Sequence, residues 1–371
     1  MEGRAFAGGG QPLRATVLYP GDSDRQRCER ELLERGVPLP LTHRIAWSGV
    51  DPATATWFIA VREPTGACTY GAGVQVTRSR ALPGHLLMRV ERLDPAVDPG
   101  ACVVALRALA DLARRRWPRV LRAYVELYSR EPGARAGVAG RLAELGFRRR
   151  ERGRMYRHTA VLDLSGDEEA IFSKLHRSAR RNVREAAKAG LEIRAIADPA
   201  LGHRVDALLR EAFARTGGTL PVVTWESVIE LSSRQPDLSR LIGLFRTDVA
   251  GPESLLAFEW ACMHGDNAQS VAAGATRAAT GRMPLAYALM WDVIRWARAR
   301  GARYVDLGGI TLGTGGSADP LGGISDFKRS FGATVVEVGE EWQLEPHPFA
   351  ARMATALGRG AAALGRLRRL H

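Results

Sequence analysis

The chain has 371 residues, of which 46% are hydrophobic and 25% are charged, and its formal net charge is +13. This composition is typical of a soluble globular protein, and the length leaves room for two domains of ordinary size. The positive charge favours an anionic partner, such as RNA, a phosphorylated substrate or an anionic lipid surface, without choosing among them.

The spacing of cysteines and histidines argues against several kinds of metal site. Cys28, Cys68, Cys102 and Cys262 are far apart and form no CxxC pair, which argues against a thiolate zinc site and a disulfide framework. The eight histidines show no HExxH spacing, so no metal site is predicted.

The glycine run near the N-terminus does not fit a signal peptide, and no apolar run is long enough to span a membrane. We therefore expect a cytoplasmic protein that is monomeric by default.

The first half alternates between strand and helix patterns after an N-terminus, residues 1–12, that is predicted to be disordered. The predicted strands are Leu13–Leu18, Trp57–Arg62, Gly71–Thr77, Leu86–Leu93 and Leu121–Leu127. The predicted helices are Asp24–Arg35, Ala101–Arg116 and Gly133–Leu145.

The second half has a similar layout. The predicted strands are Ala160–Leu164, Leu191–Ile196, Arg240–Thr247, Leu255–His264, Gln269–Gly274 and Tyr304–Leu307, and the predicted helices are Asp167–Ala189, Pro199–Thr216 and Leu285–Arg300. Residues 112–127 and 294–309 both run from the arginine-rich end of a helix into a strand, which indicates an internal duplication. The sequence thus predicts an α/β (α+β) protein with a mixed sheet flanked by helices in each domain, 13–159 and 160–345. A basic C-terminal tail, 346–371, follows as a helix that either packs on the first domain or lies on anionic lipid.

Residues 304–332 form a glycine-rich stretch that holds one of the three lysines in the chain. All but three of the 53 lysine and arginine residues are arginine, yet Lys328 stands between Phe327 and Phe331. A lysine ammonium is compact and changes its pKa on burial, which an arginine does not, so Lys328 is a candidate for ammonium chemistry. The alternative is an incidental surface lysine between two core aromatic residues.

The predicted helix Asp167–Ala189 carries a row of basic residues. At about 100° per residue, one face collects Lys174, Arg177, Arg181, Arg184 and Lys188, with Arg180 at its edge. Such a row suits a nucleic-acid backbone, and a solvated basic face is the equally weighted alternative.

Three stretches resemble the FemABX family of tRNA-dependent aminoacyltransferases: LHRSARRNVREAAKAGLEIR (175–194), AGATRAATGRMPLAYALMWDVIRWARARGARYVDLGG (273–309) and DFKRSFGATVVEVGEEWQL (326–344). The resemblance covers about residues 160–345 and implies two tandem GNAT-like acyltransferase domains. It implies transfer of an amino acid from aminoacyl-tRNA to an amine of a peptidoglycan precursor, or of a natural-product peptide or small amine. Aminoacyl-tRNA would be a co-substrate, and no further cofactor is implied.

The resemblance also assigns site residues. Phe327 and Lys328 match the family's catalytic cleft, where Lys328 would stabilise the oxyanion of the tetrahedral intermediate. Arg215, Tyr287 and Asp306 lie in motifs that bind substrate, although structural roles suit Tyr287 and Asp306 equally well. Of the basic residues in the predicted helix, five would contact tRNA: Lys174, Arg177, Arg180, Arg181 and Arg184.

Two departures from the family concern its ligands. The chain has no long coiled-coil insertion of the kind proposed as a tRNA arm, and its first half has no lysine to hold a nucleotide-linked muropeptide. The second departure weakens a peptidoglycan precursor as the acceptor.

Two rival functions stay open. One is an acyl-CoA-dependent N-acyltransferase of the same fold, although the stretch that would bind the CoA pyrophosphate, residues 277–284, has one glycine and irregular spacing. The other is a non-catalytic RNA- or membrane-binding protein.

Overall fold

A computed structural model describes residues 12–115, 119–151, 153, 156–188, 190–216, 223–277, 284–316 and 318–367. Nearly all of the N-terminus that is predicted to be disordered, and most of the stretch compared with a CoA loop, lie outside these residues.

The described residues contain fourteen strands. In chain order they are β1 (Arg14–Leu18), β2 (Thr54–Arg62), β3 (Cys68–Arg78), β4 (Leu86–Leu93), β5 (Val120–Tyr128), β6 (Arg148–Arg149), β7 (His158–Asp163), β8 (Leu191–Ala195), β9 (Ser239–Arg246), β10 (Leu255–His264), β11 (Asn267–Ala275), β12 (Tyr304–Ile310), β13 (Thr334–Glu337) and β14 (Gly339–Leu344).

The described α-helices number ten. They are α1 (Ser23–Glu34), α2 (Pro99–Arg115), α3 (Pro132–Glu144), α4 (Glu168–Lys174), α5 (Arg177–Lys188), α6 (Gly202–Thr216), α7 (Trp225–Arg234), α8 (Ala286–Ala299), α9 (Gly322–Arg329) and α10 (Pro348–Leu367). None of these helices is long and apolar enough to cross a membrane.

The strands form two mixed seven-stranded sheets, one in each half of the molecule. Their orders are β1-β2-β3-β4-β5-β14-β6 and β13-β7-β12-β11-β10-β9-β8. Each sheet has one parallel pair, β4 with β5 and β11 with β12, and the other described pairs are antiparallel. The two halves therefore share one layout, as the predicted duplication requires.

Near its C-terminus, the chain adds a strand to the sheet of the first half. The predicted second domain, 160–345, includes β14, but the structure pairs β14 with β5 and β6 in the first sheet. Similarly, β7 begins at His158, before the predicted boundary, and lies in the second sheet. The chain thus returns to its first half after completing the second.

Helices cover the sheets with their apolar faces. In the first half, α2 buries Ala105, Leu106 and Leu109 against strands β2 to β5. In the second half, α8 covers one sheet face and α6 with α7 the other. Strand β10 lies between these layers and is buried along its whole length, which explains why all but two of its ten residues are apolar.

The prediction of one continuous helix over Asp167–Ala189 is wrong. Leu175 is extended (φ −64°, ψ 143°) and only 2% exposed, so it separates α4 from α5. The backbone N–H of His176 donates to the carbonyl of Ser330 at 2.8 Å. Nη1 of Arg180 donates to the carbonyls of Ser173 and Leu175. Burial of Leu175 and these hydrogen bonds compensate for the interrupted helix.

Candidate active site

The parallel pair β11–β12 separates partway along its length. Pairing extends from Asn267 with Tyr304 to Gln269 with Asp306, and the described register ends there. Beyond this point, β12 follows β7 through an irregularity between Asp306 and Gly309. In β11, Val271 is an extra residue opposite β10, so the strand bends. These two features open a gap inside the second sheet.

Lys328 places its ammonium group in this gap. Helix α9 carries the lysine, and its Nζ donates a 2.7 Å hydrogen bond to the carbonyl of Gly309. Gly308 has φ +85°, and a Cβ there would lie 3.1 Å from Nζ and 3.6 Å from the carbonyl of Ser270. The lack of a side chain at position 308 therefore lets the ammonium lie against the strand.

Burial controls the charge of this lysine. Loss of hydration lowers the pKa of Lys328 from 10.5 to about 8, while the nearby carboxylates of Asp306 and Glu259 act in the opposite direction. Burial also raises the pKa of Glu259 to about 7, against the effect of a 2.5 Å hydrogen bond from the Ser270 hydroxyl and of Lys328. The ammonium is still mostly protonated at neutral pH, in surroundings that hydrate it poorly.

Asp306 joins the gap to the first half of the molecule. One oxygen accepts from Nη2 of Arg92 at 2.8 Å and from the Tyr128 hydroxyl. The other accepts from the Thr159 hydroxyl and, at 2.8 Å, from the backbone N–H of Gly308. Burial alone would raise the pKa of Asp306, but Arg92 and these hydrogen bonds lower it below its ordinary value. The buried carboxylate therefore fixes the bend of β12 beside Lys328.

Arg92 reaches Asp306 from an unusual backbone conformation. Its φ of 49° is positive, which among the described non-glycine residues occurs only here. Its guanidinium carbon lies 3.6 Å from the ring centre of Tyr128. Such a conformation costs about 1 kcal/mol or more and persists where surrounding contacts hold it, here the ion pair and the ring.

A cavity of about 100 Å³ lies beside the ion pair of Arg92 and Asp306, between the two halves. Its lining includes Arg92, Tyr128, His43 and His264. Burial lowers the pKa of His43 to about 4 and that of His264 to about 3. Both imidazoles are neutral at physiological pH, so they leave the charge balance of Asp306 and Arg92 unchanged.

An aromatic cluster supports α9 on the other side of the lysine. The ring of Tyr287 lies edge-on to Phe327 at 4.8 Å and is stacked with Phe331 at 5.6 Å. An open cleft of about 430 Å³ borders this cluster, lined by His176, Ser178, Tyr287, Gly323, Asp326, Phe327, Arg329 and Ser330. The structure thus brings Tyr287, Phe327, Lys328 and Asp306 into one region.

Arg215 lies elsewhere on the second half. It is the penultimate residue of α6, paired with Glu211 at 2.9 Å, and it donates at 3.1 Å to the carbonyl of Ala275, the last residue of β11. No described contact joins Arg215 to Lys328.

The basic row is partly occupied by contacts within the chain. Besides the helix-capping bonds of Arg180, the guanidinium of Arg184 lies 5.2 Å from the ring centre of Phe172, and Arg181 pairs with Glu185 at 3.7 Å. Lys174 belongs to α4, whereas Arg177 begins α5. The break between α4 and α5 therefore separates Lys174 from the other four residues of the predicted basic face, Arg177, Arg181, Arg184 and Lys188.

Sequence reasoning missed Glu259, Arg92, Tyr128 and Thr159. A signal existed for Glu259, because it is the one acidic residue in the apolar strand LLAFEWACMH. Nothing comparable marks Arg92, one of many arginines, since its role depends on a contact 214 residues away in sequence.

Comparisons with known proteins agree with this architecture. A family model described as an acetyltransferase (GNAT) domain matches residues 173–329. No curated protein is significantly similar to the sequence. Solved structures that share the fold include FemX and two other proteins. FemX has a TM-score of 0.67 and 13% identity, over 91% of this chain and 100% of that one.

The other two are more distant. The tandem GNAT protein from the clavulanic acid biosynthesis pathway, solved without AcCoA, has a TM-score of 0.54 and 17% identity, over 91% of this chain and 99% of that one. L-PGS from Bacillus licheniformis has a TM-score of 0.52 and 13% identity, over 93% and 99%. The predicted fold is confirmed: the chain has a FemABX-like tandem GNAT fold, the fold of GNAT acyltransferases.

Proposed function

We propose that this chain is an amide-forming aminoacyltransferase that moves an amino acid from aminoacyl-tRNA to an amine, in a peptidoglycan precursor or in a natural-product peptide or small amine. The observation that carries the proposal is the ammonium of Lys328, held in the gap between β11 and β12 with a lowered pKa. A cation in poorly hydrated surroundings is well suited to stabilise charge that develops during acyl transfer.

The reaction makes one bond and breaks one. The acceptor nitrogen attacks the ester carbonyl of the aminoacyl-tRNA, and the negative charge collects on the carbonyl oxygen. Lys328 donates to this oxyanion. Collapse of the intermediate forms the amide and breaks the ester C–O bond, and the leaving ribose hydroxyl takes up the proton that the amine loses. The role needs a charged lysine, which a pKa of about 8 provides at neutral pH.

The tRNA donor is supported by charge around the cleft. His176 and Ser178, which line it, flank Arg177 at the start of α5, and Arg181 lies one turn further along the same helix. Cations at such a position can follow a phosphate backbone, and the net charge of +13 favours the approach of RNA.

An acyl-CoA donor is the second candidate, because residues 173–329 match the acetyltransferase (GNAT) model and AcCoA is named for the clavulanic-pathway tandem GNAT protein. The two donors are separated by titrating the protein with bulk aminoacyl-tRNA and with acetyl-CoA at low and moderate salt. Salt-sensitive tRNA binding without acetyl-CoA binding supports the proposal. Acetyl-CoA binding with weak tRNA binding makes the chain a CoA-dependent acyltransferase, and binding of neither ligand refutes both.

The same titration tests α5 directly. Arg177→Ala and Arg181→Ala are expected to weaken tRNA binding and to lower the salt dependence by about 0.9 in log–log slope for each phosphate that the protein no longer neutralises. Arg234→Ala on α7 is the matched control, because its side chain is 74% exposed and that of Arg181 is 70% exposed. An unchanged slope in the α5 variants would show that this face is only solvated.

Transfer itself is tested with Lys328→Met. Removing a group that stabilises the oxyanion is expected to lower turnover by about 10² to 10³-fold, with donor binding retained. Turnover close to that of the wild type would remove Lys328 from the mechanism.

A further inference from the structure

The C-terminal helix α10 is attached to the first half by one face only. Ala351 is fully buried and Ala354 is 4% exposed. Nη2 of Arg122, on β5, donates to the carbonyl of Ala351 at 2.8 Å and to the Thr355 hydroxyl at 2.6 Å. These contacts fix the rotation of the helix about its axis, so its opposite face is directed away from the molecule.

That opposite face is apolar. Phe349, Met353 and Leu357 are 68%, 42% and 52% exposed. Spacing of four residues places them along one side of the helix. Three of the nine large hydrophobic side chains that are exposed in the described residues therefore lie on this helix face, which is more than the scatter of single residues that is ordinary on protein surfaces.

Cations flank this apolar face. Arg352 and Arg359 are exposed on α10 and, seven residues apart, follow one edge of it. Residues 346–371 contain five arginines and neither aspartate nor glutamate. A second copy of the chain bound to this face would bring arginines of equal charge together, which disfavours self-association. An anionic lipid surface instead offers phosphates to the arginines and acyl chains to the apolar residues.

We propose that α10 docks the protein on anionic lipid membranes, lying in the interface plane. Phe349, Met353 and Leu357 enter the boundary between headgroups and acyl chains, and Arg352 and Arg359 pair with lipid phosphates. The attached face keeps its contacts with Arg122, so the whole first half approaches the membrane with the helix. This inference does not depend on the donor or the acceptor of the proposed reaction.

The test is sedimentation of the full chain with vesicles of phosphatidylcholine alone and of phosphatidylcholine mixed with phosphatidylglycerol. The protein is expected to bind the mixed vesicles, and to bind them less as salt is added. The triple variant Phe349→Ser, Met353→Ser and Leu357→Ser is expected to reduce binding by about tenfold or more. Leu33→Ser, which replaces an apolar residue that is 37% exposed on α1, is the control and should bind like the wild type.

The charge contribution is tested separately with Arg352→Gln and Arg359→Gln. Each is expected to weaken binding to the mixed vesicles by about fivefold. Since all the substituted side chains are exposed, the variants should fold, and their urea unfolding midpoints verify this. Absence of binding to the mixed vesicles overturns the proposal, and so does binding that the triple variant retains. A dimer of the wild type that the triple variant does not form would also overturn it, by identifying the face as an interface between copies.

Discussion

Replacement of Lys328 by methionine is expected to stabilise the fold at neutral pH while it lowers the proposed acyl transfer by about 10² to 10³-fold. Burial lowers the pKa of this lysine from 10.5 to about 8, which corresponds to about 3 kcal/mol of folding free energy. Methionine avoids this penalty but leaves the carbonyl of Gly309 without its donor, at a cost of about 1 kcal/mol. The expected net gain is about 2 kcal/mol.

The sign of the pH dependence follows from the lowered pKa. The unfolded chain binds the lysine proton more tightly than the folded chain does. The penalty in the wild type is therefore complete below pH about 8, shrinks as the pH rises, and vanishes above about 10.5. Lys328→Met has no such dependence, so its advantage over the wild type should decrease over this range.

Urea unfolding of both proteins, in steps from neutral pH to above 10.5, measures this difference. Lys174→Met is the control, because Lys174 is exposed and its replacement should change stability by less than about 0.5 kcal/mol at every pH. A Lys328→Met variant that is less stable than the wild type at neutral pH, with a difference that does not vary with pH, would refute the conclusion that the ammonium is poorly hydrated.

Asp306→Asn is expected to lower the free energy of unfolding by about 3 kcal/mol or more, because it leaves a buried guanidinium without its carboxylate. Asp248→Asn, at an exposed ion pair, should cost much less stability in the same urea titration. Gly308→Ala is expected to cost about 1 kcal/mol in stability, owing to φ +85°, and to displace the Lys328 ammonium and reduce transfer. Gly316→Ala has the same backbone cost at φ +81° but meets no atom within 4 Å, so transfer should be retained; equal loss in both variants would contradict the steric reasoning.

The hydrophobic pattern was sufficient to predict most strands and helices. Each strand directs apolar side chains to a covered face of its sheet, and each helix packs an apolar face on a sheet. Strand β10 could be predicted because helices bury both of its sides, and eight of its ten residues are apolar, with Glu259 as its one acid. The break between α4 and α5 could not be predicted, since burial of Leu175 and the hydrogen bond from His176 to Ser330 depend on the packing of α9. Local propensity favours a continuous helix there, and tertiary contacts override it.

The residues of the candidate site could be predicted only in part. The lysine–arginine contrast pointed to Lys328, because that signal is local to the sequence. The partners of Asp306 could not be predicted, since Arg92 and Tyr128 belong to the other sheet and meet Asp306 only when the two halves pack. The pairing of β14 in the first sheet could not be predicted either, because a strand's hydrophobic pattern does not reveal which neighbour it will pair with.

The gap between β11 and β12 gives a physical reason for a lysine in a chain that otherwise uses arginine. Nζ lies where a single Cβ on Gly308 would come within 3.1 Å, and a planar guanidinium is larger than the ammonium that fits there. Among the described residues the ammonium donates one hydrogen bond, to Gly309, so in the proposed reaction its two other N–H groups would donate to the oxyanion. The pKa of an arginine in the same place would not fall to a comparable extent when its guanidinium lost hydration. The same burial that destabilises the fold therefore leaves this cation poorly hydrated, as the proposed role at a developing oxyanion requires.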